Sequence, residues 1–475
     1  MAQQAAESAR QLAVQHLTLR VPWSEPPFPA NPAGSAAFEG ICRDARRNRL
    51  ARAMTMTGAS TIAFAHHADD QVETSIMRMA SGSGKVGASG MRFVRRWGMG
   101  EREDNGLTWM GAQGMNRYIV RPLLGVSKDR ILATCEANGL QYVTDPTNSQ
   151  PDITVRNYIR NVLREESNLA QSSQKQDNPS PFAHKTSAIR DVIQSLRSSP
   201  YDTGPSKLHD AVRRIGEYVQ QVDSRVSNFL SQNLIPSPPT TLLFPMTSLQ
   251  SLQDDDQIAL IRRILRHVSP QPWGHISAEA SGSHRALQQI AQRVRTPRVQ
   301  ASFTMGAKVW WRPVYIRGPN NSKVGFGISS RSNGGGGWAW LAQRERPWAA
   351  KRLDQIGRGD PLEKDVTAQL RVALNERKSC SVLYDCRVLL RFDMAACSRN
   401  VVEALQSDAN TTIRVTHSTP YHLPQVVLRK PYQPDEILAT YSWPSEELRG
   451  TWAPKTPVLH AAWIQMSEVR TWDPW

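Results

Sequence analysis

The sequence predicts an α/β fold, followed by a helical domain and an irregular α+β region. Three observations support this prediction. Helical and strand-like patterns alternate over residues 1–165, as they do in β-α-β units whose strands pair in parallel. Helical periodicity dominates residues 187–300, after a polar linker at residues 166–186. Residues 301–475 carry short strand signals and many tryptophans, which could either pack in a core or stack on bases; their role is unknown.

Each element of the N-terminal region has a local signal. Apolar residues at helical spacing predict helices, β-branched runs predict strands, and Ser or Gly residues mark helix ends. The predicted order is an amphipathic N-terminal helix, a strand Leu17–Val21, a helix Phe38–Met54, a strand Thr61–Phe64, a helix Gln71–Met79, a strand Tyr118–Val120, and a helix that Ser127 caps and that ends near Gly139.

A dense group of polar side chains follows the strand Thr61–Phe64. Residues 65–74 are Ala-His-His-Ala-Asp-Asp-Gln-Val-Glu-Thr, and Arg78 lies about one helical turn further on. Ligands of α/β proteins bind at such strand-to-helix junctions. A single acid would suffice to cap the helix and favour its positive end. Two histidines and two adjacent acids exceed that need, so we predict a functional site here.

Composition narrows the class of protein. The chain has 58 basic and 42 acidic residues, a formal charge of +16, which favours a polyanionic partner. No segment approaches the ~20 apolar residues of a membrane span, so no membrane partner is expected. Its five cysteines include no CxxC pair. This argues against a zinc ribbon, an iron–sulfur site or a disulfide scaffold, and favours an intracellular location.

The run Ala65–Thr74 resembles the AHHADDQxET signature of the tRNA(Ile)-lysidine synthase family, in the N-type ATP pyrophosphatase (PP-loop) group. Three further blocks resemble that family in the expected order. They are an arginine-rich helix beginning near Glu39, the RPLL block beginning at Arg121, and the DPSN…RN block, which spans residues 145–160 here. The resemblance implies an adenine nucleotide alpha hydrolase-like, nucleotide-binding domain with a parallel sheet.

The resemblance also implies a reaction. In this family the substrate is cytidine at the first anticodon position of an isoleucine tRNA. ATP adenylates the C2 oxygen of the base, pyrophosphate leaves, and the amine of lysine displaces AMP. The implied partners are therefore isoleucine tRNA and lysine, and the implied cofactors are ATP and Mg²⁺. The compartment would be mitochondrial in a eukaryote and cytoplasmic in a bacterium.

Residues at matching positions inherit candidate roles from the resemblance. Carboxylates are needed to hold and deprotonate the lysine ammonium or to orient magnesium. Asp69, Asp70 and Glu73 are the catalytic candidates, and Asp69 or Asp70 is a candidate magnesium ligand. Arginines suit phosphate because the guanidinium is bidentate and stays protonated. The candidate ATP- and tRNA-binding residues are His66, His67, Arg78, Arg121, Arg156, Asn157 and Arg160.

One motif of the family is missing. The family opens with a strand and an SGGxDS loop, which presents backbone and hydroxyl donors to ATP phosphates. This sequence contains no such loop, so we expect a partial sheet that lacks its first strand. An incomplete gene model would explain this, as would a shortened inactive homologue or another mode of ATP binding. The alternative functions are a catalytically inactive basic RNA-binding protein and a tRNA cytidine thiolase relative, which the lack of a CxxC pair disfavours.

Overall fold

The computed structural model describes residues 2–35, 37–101, 106–143, 150–168, 182–197, 205–296, 301–316, 324–325, 337–346, 360–418, 421–441 and 462–473. Most of the predicted linker and the DPSN part of the last sequence block, residues 145–148, lie outside these ranges. Helices and strands form an N-terminal α/β unit, a central unit and a C-terminal α+β unit. None of the described helices has the length and apolar composition needed to cross a bilayer.

The N-terminal unit contains a small mixed sheet. Strands β1 and β3 are parallel, with Thr61 opposite Tyr118, and β2 is antiparallel to β3, which gives the order β1-β3-β2. The parallel pair agrees with the predicted fold. The elements are α1 (Ala2–Gln11), α2 (Phe38–Thr57), β1 (Thr61–Ala63), α3 (Ala68–Ala80), α4 (Lys85–Ala88), β2 (Val94–Arg96), β3 (Tyr118–Val120), α5 (Lys128–Ala137) and α6 (Val155–Asn168).

The two faces of this sheet differ in burial. One face packs on helix α2, where Ile62 and Ile119 contact a cluster that includes Ala51 and Met54. On the opposite face Thr61 and Ala63 are exposed. Parallel strands are usually covered on both faces, so a half-open sheet is unusual. The site-bearing loops leave the sheet next to this open face.

Two predictions about the N-terminal region are wrong. Residues 17–21 do not form a strand, and Leu17 is exposed. A segment with a strand-like sequence forms a strand only when the edge of a neighbouring strand provides hydrogen-bond partners for its backbone. No described strand pairs with residues 17–21. Ser127 precedes helix α5, but its side chain does not cap it. The carboxylate of Asp69 accepts the hydrogen bond from the Lys128 backbone N–H instead, at 2.8 Å.

The central unit combines helices with an antiparallel sheet, and the region predicted to be helical, residues 187–300, contains four α-helices among its described residues. The sheet has the order β4-β8-β6-β5, with β7 paired to β6. One core joins the last three of these helices to the sheet, so residues on both sides of position 300 pack together, whereas the first helix packs in a core with α3 and α6. The domain boundaries themselves remain predictions. The elements are α7 (Thr186–Leu196), α8 (Pro205–Asn233), β4 (Leu242–Pro245), α9 (Asp254–Val268), α10 (His284–Arg295), β5 (Phe303–Thr304), β6 (Val309–Ile316), β7 (Val324–Gly325) and β8 (Gly337–Arg344).

Helix α8 connects the first two units. It is 29 residues long, which corresponds to about 43 Å at 1.5 Å per residue. Near its start, Leu208 and Val212 pack in a core with Val72 of α3. Further along, Val222 and Val226 belong to the core of the central unit. Because one helix contributes to both cores, its position fixes the central unit against the signature helix α3.

The C-terminal unit is more regular than the sequence predicts. Antiparallel sheets with the orders β10-β11-β15 and β14-β13-β12-β9 share one core with the helices of this unit. Trp311, Trp340 and Trp463 are buried, which assigns these tryptophans to packing. The elements are β9 (Lys364–Asp365), α11 (Thr367–Glu376), β10 (Ser379–Tyr384), β11 (Val388–Asp393), α12 (Arg399–Ser407), β12 (Thr412–Ser418), β13 (Leu423–Arg429), β14 (Glu436–Thr440) and β15 (Ile464–Glu468).

A buried arginine joins the central and C-terminal units. Arg470 donates to the backbone oxygens of Arg266 at 2.9 Å and Ser269 at 2.7 Å, at the C-terminal end of α9, and also to that of Gln271. Its Nε donates to the backbone oxygen of Cys386 at 2.6 Å. A cation is favourable beside the negative end of a helix. Burial lowers the pKa of Arg470 to about 10, so it remains protonated at neutral pH.

We expect Arg470→Met to lower the free energy of unfolding by ~3 kcal/mol, because it leaves several buried carbonyl oxygens without a donor. Thermal unfolding followed by circular dichroism measures the change. Arg399→Met is the control, because Arg399 is exposed and pairs with Glu403 on the same helix. That change should stay within ~0.5 kcal/mol. Equal effects of the two substitutions would contradict the anchoring role of Arg470.

Candidate functional site

The signature residues begin at a fixed strand-to-helix junction. The backbone N–H of Phe64 donates to Val120, and that of Ala68 donates to Val126. His67 is the N-cap of α3: its unprotonated Nδ1 accepts from the backbone N–H of Asp70 at 3.4 Å, whereas a protonated Nδ1 donates to Asp69, also at 3.4 Å. The carboxylate of Asp70 accepts in return from the His67 backbone N–H at 3.0 Å. This is a capping box in which histidine takes the place of the usual hydroxyl residue.

Asp69 links three helices. Its carboxylate accepts from the Lys128 backbone N–H and lies 3.4 Å from both His67 Nδ1 and His209 Nε2. Burial would raise its pKa, but the hydrogen bonds from His209, His67 and Lys128 outweigh burial and hold the pKa of Asp69 well below its usual range. The carboxylate is therefore ionised and already surrounded by donors. It ties the start of α3 to α5 and α8.

Glu73 and Arg160 form a two-pronged ion pair between α3 and α6. Arg160 Nη2 lies 3.0 Å from Glu73 Oε2, and its Nε donates to Oε1. Burial raises the pKa of Glu73, and the guanidinium of Arg160 opposes that rise. Arg160 also approaches Asp70 Oδ1 at 3.6 Å and donates to Asn157 Oδ1 at 3.3 Å. The structure thus brings four of the predicted site residues into one cluster.

Three other predicted arginines rest on neutral oxygens. Arg121 is buried and donates to the backbone oxygen of Arg92 at 2.7 Å. Arg78 donates to the backbone oxygens of residues 87 and 90. Arg156 donates to the hydroxyl of Thr74 at 3.4 Å. None of these hydrogen bonds uses a carboxylate, although Arg156 also interacts electrostatically with the carboxylate of Glu73.

The arginines also act on one another. Burial lowers the pKa of Arg78, and the neighbouring Arg156 and Arg92 lower it further. Burial lowers the pKa of Arg121 to about 10, with contributions from Arg78 and Arg47. A group of half-buried cations that disfavour each other's charge is a favourable environment for an anion. We call the set Arg78, Arg121 and Arg156 the arginine group.

His66 lies at the edge of the arginine group. Its ring meets Phe64 edge-on, with the centroids 5.7 Å apart. Burial lowers its pKa, and Arg121 contributes to the same shift, so the imidazole is neutral at pH 7. Its Nδ1 is buried and has no hydrogen-bond partner among the described residues. His66 can therefore offer a hydrogen bond to a ligand, whereas His67 is engaged in the helix cap.

Sequence reasoning missed His209. This residue lies on α8, outside every matching sequence block, yet its Nε2 is 3.4 Å from Asp69 Oδ1. It also lines a cleft of about 820 Å³ between α8 and the open face of the sheet. Ala68 and Gln71 from the first turn of α3 line the same cleft. No local pattern in α8 marks this histidine, because its role depends on packing across the two units.

The described residues do not offer a ready magnesium site. No group of three or more His, Cys, Asp or Glu side chains among them could hold a metal ion. Asp69 and Asp70 already accept hydrogen bonds, and Glu73 is paired with Arg160. Mg²⁺ requires near-octahedral oxygen ligands, several of which are commonly water and substrate phosphate. The present arrangement does not fit such an ion, and Asp69 or Asp70 as its ligand remains a prediction.

The pair formed by His67 and Asp69 predicts a pH window of stability. The hydrogen bond from His67 to Asp69 raises the pKa of His67 above 6.5. The stability that His67 contributes is therefore complete below pH 6.5 and is lost as pH rises through its folded-state pKa. The pKa of Asp69 is lowered from 3.8, so its contribution is complete above pH 3.8 and is lost as pH falls. Asp69→Asn should therefore lower the thermal midpoint most between pH 3.8 and 6.5.

Asp129→Asn is the matched control for this measurement, since Asp129 is an exposed acid in the first turn of α5. Thermal unfolding of the variants and the unchanged protein is followed across the pH range. We expect the control to follow the unchanged protein. If Asp69→Asn lowers the thermal midpoint by the same amount at every pH, the ionic interaction between Asp69 and His67 is not its cause.

Comparison with known proteins identifies relatives of the N-terminal region. The PP-loop domain family matches residues 2–167, which include helix α3 and the arginine group. Among curated proteins, tRNA(Ile)-lysidine synthase of a Bradyrhizobium species is 40% identical over 147 residues, covering 31% of this chain and 34% of that protein. The Bacillus subtilis enzyme of the same name is 36% identical over 125 residues, which cover 26% of this chain and 23% of that enzyme.

A third relative matches over a longer stretch. The tRNA(Ile)-lysidine synthase of Geobacillus kaustophilus is 29% identical over 217 residues, or 44% of this chain and 42% of that protein. The chain thus spans less than half the length of each of these relatives. The resemblance inferred from four sequence blocks is confirmed. The N-terminal region of this chain thus matches the PP-loop domain family and is similar to tRNA(Ile)-lysidine synthases.

Proposed function

We propose that this protein carries out an ATP-dependent modification of tRNA, joining lysine to C2 of cytidine at the first anticodon position of tRNA(Ile). One observation carries the proposal. Asp70 and Glu73 lie on the same short helix as Arg78 and contact Arg160 of α6, within a domain whose relatives are named for this reaction. Acids that could hold an ammonium and cations that could hold phosphates are thereby placed close together.

The proposed reaction has two bond exchanges. The C2 oxygen of cytidine attacks the α-phosphorus of ATP, a P–O bond forms, and the bond to pyrophosphate breaks. The lysine amine, after losing a proton, then attacks C2, a C–N bond forms, and AMP leaves with the C2 oxygen. Arg78, Arg121 and Arg156 would neutralise the phosphate charge that develops in the first step. Because their hydrogen bonds go to neutral oxygens, they remain electrostatically available to an anion.

The carboxylates would serve the lysine. Asp70 lies at the start of α3, within 3.6 Å of Arg160, and is the acid we assign to the lysine ammonium. Glu73 would hold Arg160 in place through their two-pronged contact. Asp69 would act by fixing α5 and α8 against α3, since its oxygens already accept from His67, His209 and Lys128. His66 and Asn157 would complete the site as hydrogen-bonding neighbours of the nucleotide.

The thiolase alternative has no support in the structure. All five cysteines are free, and the sequence contains no CxxC pair. A purely RNA-binding function would use the same arginines but would not need Asp70. A variant of Asp70 therefore distinguishes an enzyme from a protein that only binds RNA. Loss of modification with retained tRNA binding in an Asp70 variant is the result that marks an enzyme.

The direct test is incorporation of labelled lysine into an isoleucine tRNA transcript. We expect it to require ATP and to fall by ~100-fold or more in Asp70→Asn, the scale of a lost acid–base group. Asp191→Asn is the control, because Asp191 is an exposed acid on α7. The assay is run on this chain and on the chain extended by an N-terminal segment carrying an SGGxDS loop. No incorporation by either protein would refute the proposed ligation.

We expect Arg156→Ala to weaken tRNA binding and to reduce the slope of log affinity against log salt by ~1, as for the loss of one phosphate contact. Fluorescence anisotropy at several salt concentrations measures both quantities. Arg399→Ala, which removes an exposed arginine from α12, should change neither. An unchanged affinity and salt slope in Arg156→Ala would remove Arg156 from the binding site.

A further inference from the structure

We propose that the cleft between α8 and the open sheet face receives a single unstacked pyrimidine base of the RNA, with Phe93 as the ring on which the base stacks. This inference rests on the proposed function and adds a location for the base. It involves α8, which lies outside the residues matched by the PP-loop domain family. It also gives a role to Phe93, which no sequence block includes.

The size and walls of the cleft suit a compact planar ligand. Its volume of about 820 Å³ lies in the range of small-molecule sites, ~300–1,000 Å³. The sheet side is lined by Phe93, Val94, Tyr118 and Leu124, and α8 supplies the opposite wall. Apolar and aromatic walls with a few polar groups at the edge are typical of pockets that bind an extruded base.

Phe93 has the exposure expected of a stacking platform. Phe93 is 53% exposed, and it lines the cleft. Its backbone oxygen accepts from the Arg121 backbone N–H at 2.9 Å, which fixes this segment beside the arginine group. Stacking on an aromatic side chain is available to every base and needs no charge.

The charges around the cleft are already paired within the protein. Arg92 is paired with Asp223, which also accepts from Arg263 at 2.9 Å. Arg213 is paired with Asp210 and Glu217 on its own helix. A ligand with its own net charge would therefore have to break an ion pair, whereas a neutral base would not. The polar edge of a base could instead face the side chains of Ser89, His209 and Gln220, which line the cleft.

The cleft lies beside the first turn of the signature helix. Ala68 and Gln71 belong to the first turn of α3, and His209 connects the cleft to Asp69. An enzyme that acts on a base ring must take that base out of its stack. The net charge of +16 would attract the RNA backbone, and the neutral cleft would then select the extruded base. This combination favours an RNA base over a peptide segment as the occupant.

The test uses an RNA stem-loop with the fluorescent analogue pyrrolocytidine at the first anticodon position. Binding to the full chain should quench the analogue because its base stacks on Phe93. Phe93→Ala should remove the quenching and weaken binding ~5- to 150-fold, which corresponds to one lost stacking contact. Phe93→Tyr should restore both because it restores the ring. Phe38→Ala is the control, since Phe38 is 41% exposed but does not line the cleft.

A second pair of variants obstructs the cleft without removing a packed side chain. Gly216 lines the cleft on α8, and a Cβ placed there would meet no atom within 4 Å. Gly216→Leu should therefore fold and should abolish quenching. Gly40→Leu is the matched control, because Gly40 is also helical and a Cβ added to it would lie 4.0 Å from its nearest neighbour, the Arg43 side chain. Circular dichroism checks the folding of each variant.

The outcomes separate the two proposals. Quenching in the unchanged protein that is lost in Phe93→Ala and Gly216→Leu, and kept in both controls, supports the base site. Binding without quenching, or quenching that survives both cleft variants, overturns the base site and leaves the proposed function standing. Failure of the unchanged protein to bind the stem-loop overturns both. Displacement of the RNA by an apolar peptide at the cleft would assign a peptide occupant and would also overturn the inference.

Discussion

The ion pair between Glu73 and Arg160 is the interaction on which the candidate site depends. A carboxylate as buried as Glu73 is costly unless a partner compensates its charge, and the partner comes from a different helix. Helix α6 must therefore pack against α3 for the signature to be tolerated. The apolar contacts of Ile76 with Ile159 and Ile189 form the core that holds the two helices in that relation. The packing of α6 on α3 brings Arg160 to Glu73, and the ion pair in turn makes the burial of Glu73 between these helices possible.

A second, more exposed set of contacts orients the same helix. Asp69 accepts from groups on α3, α5 and α8, so the first turn of α3 is held at three points. Helix α8 then carries this geometry into the central unit, where Asp223 pairs with Arg263. The central unit in turn is joined to the C-terminal unit through Arg470. A continuous series of polar contacts therefore runs from the signature to the last described strand region.

Local signals in the sequence are sufficient for the centre of the site. The strand Thr61–Phe64, the helix after it and the strand Tyr118–Val120 are all predictable, because each has a strong periodic pattern and a clear boundary. The strand predicted at Leu17–Val21 is wrong, because pairing depends on a partner edge that the segment itself does not specify.

The contacts between distant segments could not be predicted. His209 and Arg470 lie far along the chain from the groups they bind, and neither belongs to a motif. The local sequence correctly places Asp69 at a helix start, but it does not show that its carboxylate accepts from the backbone N–H at the start of α5. The same limit applies to the arginine group. The sequence identifies its members, and only the fold shows that they contact neutral oxygens.

A double-mutant cycle on Glu73 and Arg160 tests the central claim most directly. The free energy of unfolding is measured for the unchanged protein, Glu73→Gln, Arg160→Met and the double variant. If the pair compensates a buried charge, each single change should cost about 3 kcal/mol and the two should be coupled by ~2 kcal/mol, so that the double variant is much less unstable than the sum. Additive effects, with a coupling below ~0.5 kcal/mol, would contradict the account.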